Sequence, residues 1–278
     1  MAFIQMNLFS DKLVRTVPVY VILPADKAVI PGMPKRPDKP FKTLYLLHGI
    51  LGSHVDWTLN TRIQRFAEEH DLAVVMPAGE NAFYVDQPKS HNLYGEFVGE
   101  ELVELTRKIF PLSHKREDTF IGGLSMGGFG AMRNGLKYSD TFGYIVSLSG
   151  AYVVEGFPER DNSSPMFMET RDYAEAFFGD LDKVLESDKN PRWLIKKLKE
   201  EGKDIPKIFM ACGQEDSLLG ANESLRDYLI ENDVPVDYFT GPGNHEWDFW
   251  ETYIKKAIYE WLPTEKSEAG FNSGNIGL

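Results

Sequence analysis

Between Asp118 and Ala131 an apolar run, Thr119-Phe120-Ile121, breaks into glycines around one serine: Gly122-Gly123-Leu124-Ser125-Met126-Gly127-Gly128-Phe129-Gly130-Ala131. The pattern predicts a strand, a sharp turn and the start of a helix, and no other stretch limits the possible folds as strongly. Gly123 and Gly127 bracket Ser125 in the spacing G-x-S-x-G. That spacing suits a serine held at a strained backbone angle, where side chains two positions away would collide. The hydroxyl is then presented at the top of a sheet. The helix that follows aims its N-terminus at the same point, so the backbone N–H of Met126 is a candidate donor to a developing negative charge.

The rest of the chain supplies a sheet for this turn. Phe3 to Phe9 and Leu13 to Leu23 are β-rich runs separated by Ser10-Asp11-Lys12, which predicts an opening antiparallel hairpin. Pro24 to Pro40 carries five prolines and a glycine and is expected to be a surface loop. Lys42 to Leu47 is a strand of buried type, and it ends abruptly in His48-Gly49-Ile50-Leu51-Gly52. A second donor to the same charge is expected from that loop, from the amide of Ile50 or of Leu51. His48, at the strand end, is expected to orient the loop rather than to move protons. Asn60 to His70 predicts a helix, Leu72 to Met76 a strand, Glu96 to Phe110 a helix and Gly143 to Ser149 another strand. Repeated strand-helix units of this length predict a mainly parallel sheet covered on both faces.

Ala151 to Ile205 is longer than a crossover needs. Helical patterns around Arg171 to Phe178 and Pro191 to Glu200, with Tyr152, Phe157, Met166, Phe167, Met168, Phe177 and Phe178, predict a small cap lining an acyl or aromatic pocket. Lys207 to Cys212 and Val234 to Phe239 are strands that each leave polar residues beyond the carboxyl end, the edge where open α/β sheets bind ligands. Trp247 to Leu262 is a closing helix stopped by Pro263. The expected organisation is one domain over 1–263, with the cap at about 151–205 and a tail over 264–278.

Charge narrows the partners. With 30 Lys+Arg against 42 Asp+Glu the formal charge is −12, which repels nucleic-acid backbones and anionic membranes. The amino terminus lacks a basic segment followed by an apolar core, and no stretch is apolar for long enough to span a bilayer. The single cysteine, Cys212, lies in an apolar strand and is expected to be a buried structural thiol. These features together predict a cytoplasmic protein.

A serine hydroxyl needs a base to take its proton and a carboxylate to hold that base in the right tautomer. Of the six histidines only His245 follows Ser125, in a glycine loop after the last strand. The α/β-hydrolase fold orders its triad serine, acid, histidine along the chain. Asp216, at the end of the penultimate strand, satisfies that order, with Glu215 and Asp237 as rivals. No second histidine follows His245-Glu246 as in a zinc protease, and no cysteine pair, P-loop or G-x-G-x-x-G is present, so no metal or cofactor is implied.

At this point the chain resembles the esterase D-like branch of the α/β-hydrolases, and within it the bacterial tributyrin, acetyl and feruloyl esterases. The matching pieces span most of the chain: Leu46-Leu47-His48-Gly49, Asp71 to Pro77, Phe110 to Asp118, Gly123 to Gly128, Ala211 to Asp216 and Gly241 to Trp247. The resemblance implies hydrolysis of short acyl esters, small or carbohydrate-linked, through an acyl-serine intermediate. It puts Ser125, Asp216 and His245 in the roles of nucleophile, acid and base. It allows a homo-oligomer. Trp57 and Trp247, near the expected oxyanion loop and base, read as substrate-site walls, with packing as the alternative for either. An acyltransferase or thioesterase using the same triad, or a hydrolase-fold binding protein without activity, remain the alternatives.

Overall fold

The computed structural model describes residues 1–27, 31–32 and 34–269. Strands β1 (Ala2–Ser10) and β2 (Arg15–Leu23) form the antiparallel hairpin, in register from Ala2 opposite Leu23 to Ser10 opposite Arg15. They join β3 (Lys42–Leu47), β4 (Leu72–Pro77), β5 (Thr119–Leu124), β6 (Tyr144–Leu148), β7 (Lys207–Gly213) and β8 (Val236–Gly241) in one sheet. The order is β1-β2-β4-β3-β5-β6-β7-β8, parallel from β4 to β8, with β2 antiparallel to β4.

That order places the site. The chain steps from β3 outward to β4, then crosses back to β5 on the other side of β3. Connections therefore leave β3 and β5 in opposite directions, which opens a crevice above their carboxyl ends. The loop after Leu47 and the turn at Ser125 rise at the two sides of it.

The central strands β3 to β7 are buried on both faces because they are apolar along most of their length, whereas β1 and β8 at the two edges carry exposed residues; strict alternation assigns each side chain to a face. On β3, Leu44 and Leu46 pack with α1 (Asp56–Asn60), α2 (Ile63–Glu69) and α8 (Trp247–Lys256) through Trp57, Phe66, Phe249 and Ile254. Tyr45 and Leu47 face the opposite layer. There α3 (Leu102–Ile109), α4 (Met126–Lys137), α6 (Pro191–Glu200) and α7 (Leu219–Glu231) contribute Leu102, Met132, Ile195 and Leu229.

Boundaries differ from expectation where local geometry intervenes. The helix expected over Asn60 to His70 begins only at Ile63, because Thr61 is extended and ends a separate short helix, α1, at Asn60. A helical turn at Tyr94–Glu96 and a π turn at Phe97–Glu101 precede α3, so the helix expected over Glu96 to Phe110 is regular only from Leu102. The cap region contains α5 (Arg171–Phe178), capped by the Thr170 hydroxyl, and α6, capped by the Asn190 side chain with Pro191 in its first turn. A π turn at Ala257–Trp261 continues α8 to the stop before Pro263. Residues 264–269 lie against α2, where the Ser267 amide donates to Glu69 O at 2.7 Å. The remainder of the expected tail, 270–278, and residues 28–30 and 33 of the proline-rich loop lie outside the described residues. Among the described residues no helix is long and apolar enough to cross a membrane.

Candidate active site

Ser125 sits directly after β5 with φ 54° and ψ −119°, a backbone state that side-chain-bearing residues avoid. Two glycines permit it. A Cβ on Gly123 would stand 2.4 Å from Gly127 O, and one on Gly127 would stand 2.5 Å from Leu47 O. The turn is tied down on both sides: the Ser125 amide donates to Leu148 O at 2.9 Å, and the Ala151 amide donates to Ser125 O at 3.0 Å.

Three side chains from three strand ends meet here. His245 Nε2 lies 3.0 Å from Ser125 Oγ, and His245 Nδ1 lies 2.9 Å from Asp216 Oδ2. A carboxylate can only accept, so Nδ1 carries the proton, which leaves the Nε2 lone pair for the serine O–H. The Asp216 side chain is fully buried, whereas that of His245 is one-third exposed, at 33%. Burial opposes the Asp216 charge, but hydrogen bonds from His245, from the Leu218 amide and from Ser149 outweigh it and hold the carboxyl below its ordinary range.

Ser149 and Trp250 escaped the sequence reading. Trp250 Nε1 donates to Ser149 Oγ at 3.1 Å, and the Trp250 ring meets the His245 ring edge-on at 4.9 Å. The pair braces Asp216 and His245 together. The only local signal for Ser149 was its position at a strand's carboxyl end; Trp250 had none beyond an apolar helix face.

The rival acids have other partners. Glu215 Oε2 accepts from the Gly243 amide at 2.7 Å and so pins the loop that carries His245. Asp237 accepts from Trp261 Nε1 at 2.7 Å, away from that loop. Cys212 is buried, and burial, with the nearby Asp216 charge, pushes its thiol up to about 12, which leaves it inert as a nucleophile.

On the other side of the crevice, His48 orients the loop after β3. The Gly79 amide donates to its Nε2 at 2.8 Å, so Nδ1 carries the proton and donates to Gly49 O at 2.7 Å. Tyr84 donates to the His48 carbonyl at 3.1 Å. A Cβ on Gly49 would come within 3.5 Å of Ser125 Cβ, which shows how closely the loop approaches the serine. The Leu51 amide is taken by Asn81 Oδ1. Among the described residues neither the Ile50 nor the Met126 amide has an acceptor.

Trp57 requires a correction. Its ring is 1% exposed, and its Nε1 donates to Leu47 O at 3.0 Å, so it supports the loop from the core and cannot wall a substrate site. Trp247 is half-buried and meets the rings of Trp57 and Trp250 edge-on at 5.3 and 5.2 Å. It packs α8 under the base rather than lining the cavity described next.

Beside Ile50 and Ala151 opens a cavity of about 170 Å³, walled by Phe83, Phe157, Met168, Phe177 and Phe178. Four of the seven cap residues expected to line a pocket line this one. Met166 and Phe167 are exposed at 51% and 61%, and Tyr152 turns inward to bond Ser147 Oγ at 2.6 Å. Phe83 and Arg160, also in the wall, carried no signal in the sequence. Among the described residues no group of three or more His, Cys, Asp or Glu could hold a metal ion.

A family described as "Putative esterase" matches residues 10–260. An acetyl esterase of Caldicellulosiruptor saccharolyticus is 42% identical over 274 residues, spanning 94% of this chain and 98% of the relative. Two solved structures from Staphylococcus aureus are similar over 92% of this chain. The fluorophosphonate-binding serine hydrolase FphF has TM-score 0.80 and 34% identity over 96% of its own chain. The S-formylglutathione hydrolase FrmB has TM-score 0.78 and 33% identity over 97%. A ferulic acid esterase at 22% identity and TM-score 0.68 shares the fold.

Proposed function

From the premise that this chain belongs to the putative-esterase family and is a serine carboxylesterase of α/β-hydrolase fold acting on small-molecule esters, we propose that it cleaves short acyl esters through Ser125. The observation that carries this reading is the unbroken relay from Asp216 through His245 to Ser125, with bonds of 2.9 and 3.0 Å.

In this mechanism Ser125 Oγ attacks the ester carbonyl as its proton passes to His245 Nε2, and Asp216 stabilises the imidazolium without taking the proton. The carbonyl oxygen becomes negative and is held by the amides of Ile50 and Met126, each worth roughly 3 kcal/mol in the transition state. Collapse expels the alcohol, which receives the proton from His245. Water then enters, gives a proton to His245 and attacks the acyl-serine; the acid leaves and Ser125 recovers its hydrogen. An acetyl or butyryl group suits the size of the cavity, and the identity to the acetyl esterase favours the same range. Residues 1–263 act in this reading as one unit, supported by a sheet whose strands run from Ala2 to Gly241. The excess of acidic residues and the lone cysteine favour a cytoplasmic setting.

Turnover of p-nitrophenyl acetate and butyrate by wild type and Ser125→Ala tests the assignment. Loss of turnover and of fluorophosphonate labelling in the variant is expected; equal rates would remove Ser125 from the chemistry. A second reading, thioester hydrolysis by the same serine, is favoured by the similarity to S-formylglutathione hydrolase. A higher kcat/KM for S-formylglutathione than for the oxygen esters would support it.

A further inference from the structure

The cavity beside Ile50 is aromatic and aliphatic except at one place. Arg160 is the one charged residue in its wall. The guanidinium lies over the Phe157 ring at 4.5 Å, and among the described residues its single hydrogen bond runs from Nη1 to Met168 O at 3.2 Å. A guanidinium carries five N–H donors in a fixed fork, so most of this one's capacity is unspent. No carboxylate among the described residues stands within ion-pairing distance of it. The nearest acidic influence, Glu169, acts only at longer range and accepts from Ser164 Oγ at 2.7 Å.

The charge is held in place. The Arg160 amide donates to Phe157 O at 3.1 Å, and Arg171 Nη1 donates to the carbonyls of Pro158 and Arg160 at 3.2 and 3.4 Å. The wall also holds one buried polar atom without a partner among the described residues, the Tyr173 hydroxyl, which is closed off from solvent. Burial disfavours the Arg160 charge and Glu169 restores only part of it. A half-buried cation with spare donors, set among aromatic rings at one end of an otherwise apolar cavity, is the arrangement that an anion would complete.

We propose that Arg160 makes this cavity a carboxylate-binding subsite, so that the preferred esters carry a terminal carboxylate a few carbon atoms from the ester group. The proposal rests on the esterase reading above and adds a substrate class to it. The room available, roughly six water volumes, accommodates a short chain ending in such a group. The carboxylate can belong to the acyl half or to the alcohol half, and both place it in the same guanidinium fork.

Two pairs matched in carbon-chain length separate these cases: monoethyl glutarate against ethyl pentanoate for the acyl half, and 4-acetoxybutanoate against butyl acetate for the alcohol half. Hydrolysis is followed by titration at constant pH, and the charged-to-neutral ratio of kcat/KM is read within each protein, so a general loss of folded enzyme cancels. Wild type is expected to favour the charged member of one pair by about tenfold or more, the scale of a hydrogen bond to a charged group. Arg160→Gln is expected to bring that ratio down to one or below, and Arg160→Lys to keep part of it. A wild-type ratio at or below one in both pairs, or a preference that survives Arg160→Gln, would overturn the proposal. Failure of the esterase reading would look different, because wild type would then leave p-nitrophenyl acetate intact as well.

Discussion

The Leu51 amide donates to Asn81 Oδ1 at 2.8 Å, and this bond separates two neighbouring N–H groups that the sequence leaves equivalent. Leu51 has φ 64° and its side chain is 72% exposed, so its peptide turns away while the Ile50 amide keeps its donor uncommitted. Asn81 is therefore expected to hold the oxyanion loop in shape. Asn81→Ala should lower kcat for p-nitrophenyl acetate by about tenfold, part of the roughly 3 kcal/mol that such a donor supplies, with little change in KM. An unchanged kcat would show that the loop keeps its form without this bond.

The strain at Ser125 should be visible as stability. Ser125→Ala and Ser125→Gly both remove the hydroxyl, but only glycine relaxes at φ 54°. Relief of strain worth about 1–3 kcal/mol exceeds the entropic cost of a glycine, about 0.5–1 kcal/mol. The glycine variant should melt above the alanine variant, both being inactive; the reverse order in calorimetry would mean that the turn is unstrained.

Asp216 is expected to act through the tautomer of His245. Asp216→Asn should reduce kcat by about 10⁴-fold while leaving the fold intact. Ser149→Ala deletes one hydrogen bond that keeps this carboxyl ionised, and its kcat should fall by about tenfold, the smaller end of what supporting residues contribute. A Ser149→Ala enzyme with wild-type kcat at every pH would separate that serine from catalysis.

Behind the nucleophile helix lies a buried charge cluster. Arg133, fully buried, donates to Asp188 O at 3.0 Å, to the Asp188 carboxylate and to Asp86 Oδ2 at 3.3 Å, and Lys137 reaches Asp86 Oδ2 at 3.1 Å. Arg133→Met would leave two partly buried carboxylates with Lys137 as their one remaining ion-pair partner among the described residues. Urea unfolding should show a loss of about 3 kcal/mol, the lower end for breaking a buried pair because Lys137 remains. A loss below the error of the measurement would mean that water already reaches the cluster.

Burial lowers the imidazole pKa values of His48, His54 and His70 from the ordinary 6.5. Below pH 6.5 the unfolded chain binds protons that the folded chain refuses, so stability is full above that pH and falls as pH drops through it. A second fall is expected below pH 3.8. There, hydrogen bonds and cationic neighbours outweigh burial and hold the carboxyls of Asp86, Asp188 and Asp216 below their ordinary 3.8. Melting temperature measured from pH 8 to 5 should therefore decline, and His48→Gln, which can still accept from Gly79 without titrating, should flatten part of that slope. A flat wild-type profile would contradict the buried, neutral imidazoles.

Much of this protein was legible in one dimension because its signals are local. The turn at Ser125 needs glycines on either side, a buried parallel strand must be apolar along its whole length, and chain order alone selects His245 from six histidines. Tertiary structure decided whatever depended on which face a residue meets. Trp57 and Trp247 sit close in sequence to the loop after β3 and to His245, yet Trp57 points into the core, since the helix after the loop turns its apolar side to the sheet. Ser149, Trp250 and Asn81 carry no mark of their contacts, because each bonds a residue tens of positions away that only the crossings of the sheet bring near, and Arg160 shares a cavity wall with Ile50 and Phe83 for the same reason. Local backbone strain writes itself into the sequence as glycine; long-range hydrogen bonds and cavity walls, which any of several polar or apolar residues can supply, do not.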